Sequence, residues 1–158
     1  MPGAIQRLEF ASAGTRAVVG GKVPPGTASA LARRGVDSTG HAGEDITIEV
    51  VQAADIVLTM SRRERATVLR LDPGALARTF TLREFARLIS ASPVSAESVD
   101  GLIQVANRLR STLRGEDDIA DPMGSSAVAH ERAVHSIEMA LAVVVPRLSA
   151  VSGIATDE

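Results

Sequence analysis

Short apolar runs alternate along the chain with stretches in which apolar residues recur every three or four positions. The first run, Leu8-Glu9-Phe10, alternates as a strand does and leads into the turn Ser12-Ala13-Gly14-Thr15. Pro24-Pro25-Gly26-Thr27 predicts a helix opening near Ala28, and Gly35 its end. Proline suits a helix start and glycine the position just past its last turn. Thr47 can cap a helix reaching about Ala54, with Val50 and Val51 facing inward. Asp55-Ile56-Val57-Leu58-Thr59-Met60 has the continuous apolar character of a strand buried on both faces, hence parallel and covered by helices.

Beyond it, Ser61 caps a helix with Ala66, Val68 and Leu69 inward, stopped by Asp72-Pro73-Gly74. Thr79-Phe80-Thr81 is a further short strand, and a helix follows over Arg83 to Ile89. Ser95 to Arg114 carries Val99, Leu102, Ile103, Ala106, Leu109 and Leu113 at helical spacing. An acidic loop, Gly115 to Gly124, precedes a last helix capped by Ser125 or Ser126. Its inward residues are expected to be Val134, Ile137, Ala140, Leu141, Val144 and Val145, with the helix ending near Leu148 and the tail fraying from Ser149. Strand and helix patterns in alternation predict an α/β domain with a parallel sheet over residues 1–150, and a disordered tail over 151–158.

Composition narrows the chemistry. With 158 residues, 45% of them apolar, the chain can form one domain with a proper core. The net charge of −2 favours neither nucleic acid nor an anionic membrane surface. No stretch reads as the ~20 apolar residues of a membrane span, and Met1 to Arg7 has no signal-peptide core, so the expected compartment is the cytoplasm. There is no cysteine. That removes disulfides, thiolate metal sites and thiol nucleophiles together. No cofactor is implied.

Five pieces in register then carry a family signature: Ser12-Ala13-Gly14-Thr15 after a strand, GVDSTGH ending at His41, AADIVLTM at 53–60, LREFARL at 82–88, and DIADPMG at 118–124. From about Leu8 to Leu148 the chain resembles the low-molecular-weight protein tyrosine phosphatases. The resemblance implies a three-layer α/β/α fold with a short parallel sheet, phosphotyrosine phosphatase I-like. It also implies that Asp121, followed by Pro122, is the general acid that protonates a leaving phenolate. Family members open with a strand running into a Cys-x5-Arg loop and a helix. Here the chain starts seven residues before the strand that should come second, so the first strand, loop and first helix are expected to be missing.

That departure bears on the reaction. Phosphate monoester hydrolysis is among the slowest uncatalysed reactions. The family's route has a thiolate attack phosphorus, its pKa depressed at a helix N-terminus, while a ring of N–H groups and an arginine hold the phosphoryl oxygens. Asp121 alone has nothing to protonate, so the chain as written is expected to be catalytically inactive, with Asp121 vestigial. Three alternatives stay open. An active phosphatase has had its start misplaced, a separate polypeptide supplies the missing segment, or a homodimer or protein partner completes the sheet beside its absent central strand.

The remaining candidates have plain readings. Ser12, which supports the phosphate loop in the family, is here a turn residue; Gly14 serves the same turn, and His41 is structural. His130 and His135 are five apart, where one helix face needs four, so they are expected as solvated helix residues rather than metal ligands. Asp117, Asp118 and Asp121 superficially match an aspartate-rich magnesium motif, but they read better as an acidic loop. Arg62, Arg63, Arg65 and Arg70 are expected on a solvated helix face rather than at an anion site. Met123, after Pro122, offers no aromatic clamp for a tyrosine ring.

Overall fold

The structure, a computed structural model, describes residues 8–92 and 96–152. Among these, helices α1 (Pro25–Ala32) and α2 (Ile48–Ala53) precede strand β1 (Val57–Thr59). Helix α3 (Arg62–Leu71) and a 3-10 turn (Pro73–Arg78) lead to strand β2 (Thr79–Thr81). Helices α4 (Leu82–Ser90), α5 (Val99–Leu109) and α6 (Ala127–Ser152) complete the fold. The two strands pair in parallel, Val57 with Thr79, Leu58 with Phe80 and Thr59 with Thr81, as the α/β reading requires.

The core forms where α4, α5 and α6 close over this short sheet. Phe80 and Phe85 are fully buried, with ring centroids 5.1 Å apart and tilted by 50°, a favourable aromatic arrangement. Leu82, Leu88, Ile89, Leu102, Val144 and Leu148 fill the space around them. Burying each such side chain stabilises the fold by about 1.5–3 kcal/mol. Helix α6 packs along both α1 and α4. A smaller cluster of Val51, Val68 and Ala75 sits beneath α2 and α3.

Local chemistry explains most boundaries. Thr47, Ser61 and Thr81 cap α2, α3 and α4, and the last two form capping boxes with Glu64 and Glu84. Ser126 Oγ accepts from Ala129 N–H at the start of α6. Helix α1 begins at Pro25, earlier than expected, because a first-turn proline lacks only an N–H that would be unpaired there anyway. Helix α5 starts behind Ser98 and its regular part ends at Leu109; Ser95 lies outside the described residues.

Several expectations are corrected. Leu8 to Phe10 is not a strand: Leu8 packs on the core while Phe10 is 76% exposed, although residues two apart on a strand would share a face. The neighbouring turn instead makes one parallel bridge, Gly14 to Asp45. Strand β1 is buried at Thr59 but only half-buried at Val57 and Leu58. Val50, Ala66, Leu141 and Val145 face solvent. Helix α6 does not fray at Ser149; it continues through Pro146 to Ser152, with Ser149 and Ser152 buried. The rest of the tail, 153–158, lies outside the described residues. By length and composition α6 also passes for a membrane span, with a mean hydropathy of 1.4 over its most apolar window, contrary to the reading above. Its buried side chains nevertheless rest on α1 and α4.

Candidate functional site

The acidic loop is laid across the carboxyl ends of both strands, where open α/β sheets place their sites. Ile119 N–H donates to the carbonyl of Met60, just past β1, at 2.8 Å, and the Ile119 side chain is buried. Asp118 accepts from the backbone N–H of Arg62 at 2.8 Å and from its Nε at 3.3 Å, so a carboxylate meets the free N–H groups that open α3. Arg83 Nη1 donates to the Asp118 carbonyl. Arg87 holds Asp117 in bidentate fashion, with Nη2 at 3.0 and 2.8 Å from the two carboxylate oxygens. Residues 117–119 are thereby pinned.

Asp121 lies two residues further on and is exposed. Its Oδ1 accepts from Met123 N–H at 3.0 Å, and the turn closes with Ser125 N–H donating to the Pro122 carbonyl. Gly124 follows at φ 72°, a backbone conformation that suits glycine. The Asp121 carboxyl is thus an exposed group on a fixed turn, two residues beyond the anchored stretch.

The other candidates are not gathered around it. Ser12 and His41 are exposed, and Gly14 joins the backbone of Glu44 and Ile46 through hydrogen bonds of 2.8 and 2.9 Å. Among the described residues no hydrogen bond or ion pair links Asp121 to Ser12, Gly14 or His41. His135 is exposed as expected, but His130 is not a solvated residue. It is 6% exposed, packs against Gly26 and shares a hydrogen bond of 2.8 Å between Nδ1 and Thr27 Oγ1. Helix α6 turns that face onto α1, which its local sequence could not reveal. Among the described residues no group of three His, Asp or Glu is set to hold a metal ion.

The α3 arginines divide. Arg62, Arg63 and Arg70 are exposed, but Arg65 turns inward. It lines a cleft of about 470 Å³ beside the acidic loop, together with Arg62, Arg87, Arg110 and Arg114. Arg87 and Arg110 escape a reading by sequence windows because their partners come from other elements. Arg110 Nε, for example, is 3.0 Å from Glu84 Oε1, 26 positions away.

A family profile described as low molecular weight phosphotyrosine protein phosphatase matches residues 2–97. The chain belongs to that family. Solved structures share its fold at low identity. The arginine phosphatase YwlE from Geobacillus stearothermophilus aligns over 100% of this chain and 82% of its own, with a TM-score of 0.70 and 22% identity. The tyrosine phosphatase AmsI from Erwinia amylovora aligns over 87% and 72%, with a TM-score of 0.64 and 23% identity. The tyrosine phosphatase Wzb from Escherichia coli K30 aligns over 86% and 76%, with a TM-score of 0.64 and 18% identity. A search of curated proteins finds no match to this chain.

Proposed function

We propose that the 158-residue chain is a phosphatase-fold protein that does not hydrolyse phosphomonoesters by itself and acts through protein contacts. The observation that carries this reading is a cysteine count of zero in a family whose chemistry runs through a thiolate. Asp121 is then a general acid without a reaction, held in place because Asp117, Asp118 and Ile119 anchor its loop for structural reasons. The purified chain is expected to release no phenolate from an aryl phosphate above the buffer rate. Turnover that disappears on Asp121→Ala would overturn the proposal.

One observation favours a second reading, an active phosphatase completed by a further segment. Among the described residues β1 pairs only with β2, and a two-stranded sheet is marginal unless more strands or helices support it. A strand ending in a Cys-x5-Arg loop, from upstream in the same frame or from a separate chain, would find a free edge at Val57–Thr59. A second copy of the chain would meet the same edge. Translating the upstream DNA in frame separates these readings: such a strand and loop support the completed enzyme, and an in-frame stop rules out the misplaced start. The substrate class would then be a phosphorylated protein side chain, as the tyrosine and arginine phosphatases of this fold suggest.

A further inference from the structure

We propose that the arginine cleft between α3, α4 and the end of α5 binds a phosphate-type oxyanion, as the free ion or as a small monoester. Five guanidinium groups line it, from Arg62, Arg65, Arg87, Arg110 and Arg114, against the two carboxylates of Glu84 and Asp117. Adding Asp118, which pairs with Arg62, still leaves an excess of two positive charges. Arginine does not shed that charge in a protein, so an anion is what relieves it.

The excess is concentrated at Arg65. Its Nε is buried and has no hydrogen-bond partner, and its nearest carboxylate contact is Nη1 to Glu84 Oε2 at 3.8 Å, too long for a hydrogen bond. Glu84 is already engaged, since Arg110 donates to both of its oxygens at 3.0 and 3.4 Å. Burial, and then repulsion from Arg110, hold the Arg65 guanidinium below its usual pKa. Arg65 lines the cleft and its Nη groups make no hydrogen bond, so an anion there can accept from donors the fold leaves uncommitted.

The other arginines are fixed in advance. Arg110 lies over the Phe80 ring at 4.0 Å and donates to the Thr79 carbonyl at 2.6 Å. Arg87 donates to the Leu113 carbonyl at 2.6 Å while it grips Asp117. Arg114 is exposed and makes no hydrogen bond or ion pair among the described residues. Arg65 and Arg114 thus keep uncommitted donors over a cleft made positive by Arg87 and Arg110, and the volume leaves room for a small organic group. The site does not use Asp121 and stands whether or not that residue acts.

The test is a calorimetric titration of the full chain with inorganic phosphate, and separately with glycerol phosphate, at constant ionic strength set by chloride. Saturable binding of one phosphate at millimolar concentration or tighter is expected. Arg65→Leu and Arg114→Gln should each weaken it by about tenfold or more, as loss of a charge-assisted hydrogen bond does. Without phosphate, Arg65→Leu should melt at or above the wild-type temperature, because it removes a half-buried guanidinium that makes no hydrogen bond and lies beside another arginine. Tighter binding of the monoester assigns the remaining volume to an organic group, equal binding assigns the site to the free ion, and both uphold it. Absence of saturable binding, or wild-type affinity in Arg114→Gln, overturns it and leaves the cluster as a clamp for the acidic loop.

Discussion

A single hydrogen atom at position 26 decides how closely α1 and α6 approach. A Cβ there would lie 2.5 Å from Cδ2 of His130 and 2.8 Å from its Cγ, closer than packed atoms allow. The ring cannot swing aside cheaply, since it is buried and tied to Thr27 Oγ1. Alanine is the better helix former by about 1 kcal/mol, so on propensity alone Gly26→Ala should stabilise α1. Steric displacement of a buried side chain typically costs about 1–3 kcal/mol and is expected to win, giving a net loss of up to about 2 kcal/mol. Urea unfolding of Gly26→Ala, His130→Ala and the double variant would decide it. The glycine substitution should be neutral or stabilising once His130 is gone, and an unchanged penalty in that background would show the clash to be irrelevant.

At the level of elements, the start of α3 does two jobs at once. Glu64 Oε2 accepts from the N–H groups of Ser61 and Met60 at 2.9 Å each, and Ser61 Oγ accepts in return from Glu64 N–H. The capping box therefore also fixes the residue whose carbonyl receives Ile119 and anchors the acidic loop. Ser61→Ala should lower stability by about 1 kcal/mol, and amide exchange at Ile119 should quicken with it. If exchange at Ile119 keeps its wild-type protection relative to global stability, cap and loop are not coupled. Such caps were legible in the sequence because they act over three residues, and so were β1, β2 and α4 as elements, whose patterns are local. Outward positions such as Val50 and Ala66 were misread because a helix of two or three turns offers too few apolar residues to orient its face. Asp121 was legible as part of a motif. The arginine cleft was not, since Arg110 meets Glu84, and Arg87 meets Asp117, only after α4, α5 and the loop have packed.

Over the whole molecule, the sheet has two strands among the described residues, too few to organise the chain, and α6 takes much of that role by spanning α1 and α4. Besides the His130–Thr27 bond, its polar ties to the N-terminal part run through Glu131, which accepts from Arg33 Nη2 at 2.5 Å and Arg34 Nη1 at 2.6 Å, with Glu138 adding a bond of 3.0 Å from Arg34 Nε. The Arg33 hydrogen bond, and then that of Arg34, hold the Glu131 carboxyl below its ordinary 4.5. A carboxyl whose pKa is lower in the folded state contributes stability that is fully present above the unfolded value and is lost as pH falls through the folded one. Asp37, held down first by the Thr39 N–H, and Glu49, held down first by the Thr47 side chain, act with the same sign. Acid should therefore weaken the protein progressively below about pH 4.5. Glu131→Gln should be less stable than wild type at neutral pH, and the difference should close as the wild-type carboxyl protonates. Because the pairs are exposed and screened, the gap at neutral pH should also shrink in high salt. Urea midpoints of both proteins at neutral pH and near pH 3.5 measure the effect. A gap that persists undiminished in acid would mean that Glu131 joins α1 to α6 by packing of its stem rather than by its charge.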